Sequence, residues 1–332
     1  MKFIKTFTAT AILLGAMAQA NASAIITDGN VKLGVDNYGN LNIGGSVSSV
    51  TGTTAVGLRY LTANGEYEST SHGCWCEGWG VAIADNNTSG YANNSTGTAG
   101  LSVDSFSSTA STASATTLMG SALKITHSFA LAAETANLFR VKVTIENTSG
   151  ADINNLLYRR TFDWDTDPSP FNEYVTIGGT AAATAVLAAN NNGFCSSNPL
   201  AGCAGAFNGD FVAAGPTDHG ANFDFDFGAL VAGGTYTFDI FYGAAGNKTA
   251  ALNALGEVGA EVYSLGWSGW DANQDGTGDN GGETTPTFIF GFSGVGGVAL
   301  PDPTDVPAPA SVLLLGLGLF GLAMSRRQRK AA

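Results

Sequence analysis

The sequence is poor in charged residues and in the residues that most enzymes use for chemistry. Only 12% of its 332 residues are charged, about half of the roughly 25% found in an average domain. The three histidines, His72, His127 and His219, lie far apart, and neither H-E-x-x-H nor G-x-S-x-G occurs. The sequence therefore carries neither the zinc-protease signature nor the nucleophile elbow of a serine hydrolase.

Positive charge is especially scarce. The chain has 14 Lys+Arg against 27 Asp+Glu, a net charge of −13. Two of the cations lie in the first five residues and four in the last seven. The segment between them therefore contains eight cations and all 27 acids, a net charge of −19. Such a surface repels phosphate backbones and excludes nucleic acid as a natural partner. It is compatible with divalent cations and neutral glycans.

What the sequence does contain is turn residues and short apolar runs. Gly, Asn and Asp punctuate runs in which apolar and polar residues alternate, the pattern of antiparallel β-structure. In residues 139–145 the apolar members are Phe139, Val141, Val143 and Ile145. With 44% hydrophobic residues, the chain can build a core. The pattern predicts an all-β fold, a large antiparallel β-sandwich with one helix.

Neighbouring runs also predict strand pairs. Residues 138–165 contain two alternating runs around the turn Asn147-Thr148-Ser149-Gly150, which predicts a hairpin. The run at 222–230, with Phe223, Phe225 and Phe227 on one face, is predicted to pair with the run at 235–243.

One segment has helical periodicity. Asn247 is a candidate N-cap for a helix over residues 248–263, in which apolar residues recur at helical spacing. Gly256 and Gly259 weaken it, so we expect this helix to depend on packing against a sheet.

The N-terminus resembles a secretory signal in its three parts. Lys2 and Lys5 precede a mostly apolar stretch over residues 9–18, and A-x-A sites follow at 20–22 and 22–24. We assign residues 1–24 to a signal peptide and residues 25–295 to the β-sandwich body. The body is one extended sandwich or two smaller ones divided near residues 180–192, and residues 296–305 form a Gly/Pro spacer.

Export makes disulfides the expected state of the four cysteines. Cys195 and Cys203 flank a short loop and are the favoured pair. Cys74 and Cys76 can bridge each other only with strain. Pairings between the Cys74 region and the Cys195 loop therefore remain open.

The C-terminus combines a proline pair, a short apolar run and a basic cluster. The run at 310–324 would be about 22 Å long as a helix, shorter than the ~30 Å hydrocarbon core of a bilayer. It predicts a marginal transmembrane helix. The basic residues after it place the chain end in the cytoplasm and the body outside. These basic residues are Arg326, Arg327, Arg329 and Lys330.

These features, in this order, resemble the PEP-CTERM sorting signal of Gram-negative bacteria. The motif is Pro307-Ala308-Pro309, with alanine where the family usually has glutamate. The resemblance covers residues 306–332 and implies transient insertion in the inner membrane and processing by an exosortase-type enzyme. It also implies delivery to the cell surface or extracellular matrix. Body segments 72–82, 158–179 and 256–266 more loosely resemble uncharacterised domains that accompany this tail, which implies no activity.

An Asp/Asn/Gly loop near the end of the body is a candidate calcium site. Its residues fit positions 1, 3, 5, 7 and 9 of a calcium-binding loop, with Gly276 at position 6, but position 12 is Gly282 and no helix pattern flanks it. The alternative is a solvated loop. The candidate ligands are Asp271, Asn273, Asp275, Thr277 and Asp279.

A second acidic group, Asp163, Asp165 and Asp167, would lie on one face of a strand. Carboxylates this close need water, a cation or an arginine between them, and Arg159 and Arg160 are near enough in sequence to serve. A glycosidase would instead need two carboxylates facing each other across a cleft. The simpler interpretation is a strand end with salt bridges.

Tryptophans offer a further candidate site, since aromatic rings can stack on sugars as well as fill a core. We therefore predict an exported, non-enzymatic protein with a structural, adhesive or glycan-associated role and extracellular polysaccharide as a candidate partner. The alternative is a β-sandwich hydrolase acting on polysaccharide. The candidate platform comprises Trp75, Trp79, Trp267 and Trp270.

Overall fold

The computed structural model describes residues 22–270, 279 and 281–303. Within them the chain is all-β with one α-helix, and every strand pairing is antiparallel, as predicted. The strands of the first half are β1 (Ser23–Thr27), β2 (Val31–Asp36), β3 (Ile43–Gly44), β4 (Ala55–Val56), β5 (Leu58–Thr62), β6 (Gly65–Glu68), β7 (Gly78–Ile83), β8 (Thr88–Asn93), β9 (Ser102–Ser108), β10 (Ala113–Met119), β11 (Leu123–Leu131) and β12 (Leu138–Asn147).

The second half contains the remaining strands and the helix, and the strands form four sheets. The elements are β13 (Leu156–Trp164), β14 (Glu173–Gly178), β15 (Val186–Asn190), β16 (Phe211–Thr217), β17 (His219–Asp226), β18 (Thr235–Ala245), α1 (Lys248–Glu257), β19 (Val262–Ser268) and β20 (Thr287–Ser293). The sheets are β16-β14-β19-β20-β18-β12-β11-β10-β9, β15-β17-β13-β7-β8, β1-β2-β5-β6 and β3-β4.

Aromatic side chains from the nine-stranded and five-stranded sheets share one core. Phe162 of β13 stacks on Tyr242 of β18 and on Phe290 of β20, with ring centroids 5.6 and 4.8 Å apart. Phe223 of β17 meets Phe290 edge-on at 5.5 Å. The alternating apolar residues at 139–145 are fully buried in this core.

Both predicted strand pairs are wrong. β12 pairs with β11 and β18, whereas β13 pairs with β7 and β17 in a different sheet. The chain crosses between sheets after Asn147, whose side-chain amide donates to the carbonyl oxygens of Ala151 and Leu230. β17 and β18 also lie in different sheets, and they meet through rings such as Phe225 and Phe238 rather than through a ladder.

The helix begins as predicted but ends earlier. The Asn247 side chain accepts a hydrogen bond from the amide of Ala250 at 2.8 Å, which caps α1. The helix ends at Glu257 instead of continuing to residue 263. Gly259 adopts φ +64°, a left-handed conformation that favours glycine, and the chain then enters β19.

A buried ion pair joins the two large sheets and the loop after β2. The Arg160 guanidinium of β13 donates to Glu77 and to the carbonyl oxygen of Gly39, and both charged residues are fully buried. Glu77 also accepts from the Leu41 amide at 2.6 Å and from the Tyr242 hydroxyl at 3.1 Å. The Glu77 carboxylate and the Arg160 guanidinium therefore each have partners from more than one element, although Nη1 of Arg160 has no hydrogen-bond partner among the described residues.

His127 of β11 lies in the same region. It is fully buried, its Nε2 lies 3.2 Å from the Tyr158 hydroxyl, and its ring packs on Trp79 at 4.4 Å. Burial lowers the pKa of His127 well below its usual value, and the positive charge of Arg160 lowers it further. His127 is therefore neutral in the folded protein at neutral pH.

We expect Glu77→Gln to lower the free energy of unfolding by about 3–5 kcal/mol, because it leaves the buried Arg160 charge uncompensated. Urea denaturation followed by tryptophan fluorescence measures the change. The control is Glu134→Gln, which removes the partly exposed partner of Arg140 and should change stability by about 0.5 kcal/mol or less. Equal effects of the two substitutions would contradict the conclusion that Glu77 compensates the buried charge of Arg160.

We expect His127 to make the protein less stable as the pH falls below about 6.5. The unfolded chain then binds a proton that the folded chain does not, so stability falls by up to about 1.4 kcal/mol per pH unit. The buried acids Asp165 and Glu173, whose pKa values are raised, act in the opposite direction, so the His127 contribution is measured by denaturation as the difference in slope between the wild type and His127→Gln between pH 5 and 7. Lys124→Gln on the same strand should keep the wild-type slope, and an unchanged slope in His127→Gln would refute the prediction.

Candidate functional site

Three carboxylates converge where the two large sheets meet. Asp163 lies near the end of β13, Asp165 directly follows that strand, and Asp218 lies in the one-residue connection between β16 and β17. One carboxylate oxygen from each lies within 4.8 Å of the others. We call these three residues the acidic triplet. Since β16 and β17 belong to different sheets, the triplet spans a crossover.

Two members of the triplet are buried and have carboxylate oxygens that receive no hydrogen bond. Asp163 and Asp165 are 1% and 0% exposed. Among the described residues, Oδ1 of Asp163 and both side-chain oxygens of Asp165 have no hydrogen-bond partner. Asp218 is exposed and opens the group to solvent. Buried carboxylates without partners are rare in folded proteins and require an explanation.

Burial dominates the electrostatics of this region. It raises the pKa of Asp165 to about 10, with further contributions from the nearby charges of Asp163 and Glu173. Burial likewise raises the pKa of Glu173 to about 9, and the pKa of Asp163 rises well above its usual value because of burial and the charge of Asp218. In the absence of a cation, these carboxyl groups therefore favour their protonated forms.

Arg159 and Arg160 do not pair with Asp163 or Asp165. The prediction of a strand end held by salt bridges is therefore wrong for these two acids. Arg159 pairs with Asp224, and Arg160 pairs with Glu77. Asp167 separates from the other two because β13 ends at Trp164. Its carboxylate accepts from the Glu68 amide at 2.8 Å and lies 3.0 Å from Nε2 of His72.

Close-packed loops lie against Asp163. A Cβ atom on Gly193 would lie 2.7 Å from both Cα and Oδ1 of Asp163, so only glycine fits there. Sγ of Cys74 lies 3.3 Å from Oδ2 of Asp163. Cys74 is paired with Cys76, and Cys195 with Cys203 in the loop that contains Gly193. Paired cysteines offer no thiolate, which argues against a cysteine-ligated metal beside Asp163.

A separate cleft of about 840 Å³ opens on the surface beside β5 and β6. Tyr60 and Tyr67 face each other across the β5–β6 ladder, so both rings lie on one face. Trp270, which is 53% exposed, lines the same cleft. The other lining residues are Asn30, Leu61, Thr62, Ala63, Asn64, Pro168, Gly246, Thr284, Thr285 and Pro286.

The structure separates the four tryptophans of the predicted platform. Trp79 and Trp267 are fully buried in the two core clusters. Trp75 lines a second, smaller cleft of about 430 Å³ beside the loop after β2. Of the four tryptophans, only Trp270 lines the larger cleft. The other aromatic rings there belong to Tyr60 and Tyr67.

Most of the predicted calcium loop lies outside the described residues, since only Asp279 of its five candidate ligands is described. The Asp279 carboxylate accepts hydrogen bonds from the amides of Glu283, Thr284 and Thr285. Burial alone would raise the pKa of Asp279, but these hydrogen bonds lower it on balance. Its carbonyl oxygen accepts from the indole of Trp267.

The C-terminal segment matches a known protein-sorting motif. Residues 305–329 match the family model of the PEP-CTERM protein-sorting motif. This match covers Pro307, Ala308, Pro309 and the basic residues Arg326, Arg327 and Arg329, and it leaves Lys330 just beyond its end. The chain therefore carries the sorting motif that marks exported proteins recognised by an exosortase.

No curated protein and no solved structure matches the chain. The predicted transmembrane helix at 310–324 and most of the signal peptide lie outside the described residues. Among the described residues, no helix has the length and hydrophobicity needed to cross a membrane.

Sequence reasoning missed Asp218 and Glu173 as neighbours of Asp163 and Asp165. Asp218 lies 53 residues beyond Asp165 in the chain, and no spacing rule links the two. The available signal was weak: Asp218 sits between Pro216 and Gly220, a turn-forming stretch between two apolar runs.

Proposed function

We propose that this protein is exported, processed at its C-terminal tail by an exosortase-type enzyme, and delivered to the cell surface or extracellular matrix. There its body acts as a non-enzymatic, glycan-associated protein. The match of residues 305–329 to the sorting motif carries the first part of the proposal. The cleft lined by Tyr60, Tyr67 and Trp270 supports the second part.

The chemistry of the cleft suits a neutral sugar chain. Its volume of about 840 Å³ lies in the range of ligand sites, about 300–1,000 Å³. Aromatic faces can stack on the apolar faces of sugar rings, while amides and hydroxyls such as those of Asn64 and Thr284 can bond sugar hydroxyls. No charged side chain is among the described residues that line it.

Among the described residues, no pair of carboxylates forms a site that would suit the hydrolase alternative. The carboxyl groups with strongly raised pKa values, such as Asp165 and Glu173, are buried and do not line the cleft. A glycosidase places two carboxylates on opposite sides of the scissile bond. The described cleft walls contain no carboxylate, which favours binding over hydrolysis.

We expect mass spectrometry of native cell fractions to find the extracellular form ending near Pro307. The physical reason is that a short apolar run and a basic cluster hold the chain in the membrane only for processing. Replacing Arg326, Arg327, Arg329 and Lys330 with glutamine should reduce the processed extracellular form. An intact tail in the inner membrane as the main species would contradict sorting in favour of simple anchoring.

We expect Trp270→Ala to weaken binding of neutral polysaccharide, extracted from the native matrix, by about tenfold, the effect of losing ~1.4 kcal/mol of ring contact. Affinity electrophoresis measures the retardation. Phe194→Ala, which removes an exposed ring outside the cleft, is the matched control. Equal retardation of the two variants would refute a role for the cleft, and release of new reducing ends by the wild type would support a hydrolase instead.

A further inference from the structure

The negative charge of the acidic triplet is not compensated by any described side chain. Asp165 is completely buried, and neither of its carboxylate oxygens receives a hydrogen bond. Asp163 is 1% exposed, and its Oδ1 is also without a donor. Leaving such groups unsatisfied is costly, and an isolated buried charge is more costly still.

The cationic side chains nearest in sequence are already engaged elsewhere. Arg159 and Arg160 hold Asp224 and Glu77, and His72 lies against Asp167. The ring nitrogens of His219 lie 3.0 Å from the Asn191 amide and 3.1 Å from the Glu173 carbonyl oxygen. None of these groups compensates the triplet.

The spacing of the three carboxylates fits the coordination sphere of a hard cation. Calcium takes six to eight oxygen ligands at about 2.3–2.6 Å, so two oxygens on opposite sides of the ion lie about 5 Å apart. One oxygen from each of the three carboxylates lies within 4.8 Å of the other two. Exposed Asp218 gives solvent access, so water can supply the remaining ligands.

We propose that Asp163, Asp165 and Asp218 together bind one calcium ion. The ion ties the end of β13 to the β16–β17 crossover and so joins the five-stranded sheet to the nine-stranded sheet. This site is distinct from the loop at 271–279, since none of the triplet residues belongs to that loop. The proposal does not depend on glycan binding or on sorting.

The test is isothermal titration of the chelator-treated full-length protein in detergent with CaCl₂, together with thermal melting in CaCl₂, MgCl₂ or chelator. We expect calcium to bind and to raise the Tm, because a ligand of the folded state stabilises it. Asp165→Asn and Asp218→Asn should each weaken one calcium site by about tenfold or more, the scale seen when metal-site residues are altered. Magnesium should raise the Tm less, since it prefers a smaller octahedral site.

Two control variants separate the triplet from other acids. Asp226→Asn changes a carboxylate of β17 that caps the Gly228 amide and lies outside the triplet, so it should leave calcium binding unchanged. Asp275→Asn alters the loop at 271–279 and should leave the triplet site intact.

The result in Asp218→Asn decides the outcome if Asp165→Asn fails to fold, because Asp218 is exposed and its substitution leaves the buried core unchanged. Calcium binding of wild-type strength in Asp218→Asn would overturn the proposal. An absence of calcium binding in the wild type would overturn it as well, and so would loss of all binding in Asp275→Asn alone.

Discussion

The scarcity of positive charge constrains how this protein can bury its carboxylates. All four arginines of the body are used in ion pairs, and three of them, Arg59, Arg159 and Arg160, are almost completely buried. Each of these three holds carboxylates from a neighbouring strand or loop. With eight cations for 27 acids, no arginine of the body is left to pair with a further carboxylate. The carboxylates at the end of β13 remain without one.

The sequence predicts which segments form strands, but it does not predict which strands pair with each other. Alternation at 139–145 identified β12 because every second side chain faces the core. The turn after Asn147 also read as a hairpin, but the chain there crosses from the nine-stranded to the five-stranded sheet. Local turn chemistry is the same in both cases, since Asn and Gly permit a reversal whichever sheet the next strand joins. Long-range packing decides between them.

The candidate sites show the same limit. The sequence placed Asp163, Asp165 and Asp167 on one face. Asp163 and Asp165 do converge, but Asp167 turns away to Glu68 and His72. The sequence also offered Arg159 and Arg160 as partners and could not bring in Asp218. In the fold, Arg159 reaches across the ladder to Asp224, the residue opposite it in the β13–β17 register. The aromatic cleft likewise depends on the Tyr60–Tyr67 register and on Trp270. Nothing in the local sequence distinguishes Trp270 from buried Trp267 three positions earlier.

One short segment connects the two sites. Asp165 belongs to the triplet, and Pro168, three residues later, lines the aromatic cleft. Between them, Asp167 accepts from the amide of Glu68, the residue after cleft-lining Tyr67. The backbone amide of Asp165 donates to the carbonyl oxygen of Ser69. If a cation fixes Asp165 as proposed, these hydrogen bonds connect it to the strand that presents Tyr67.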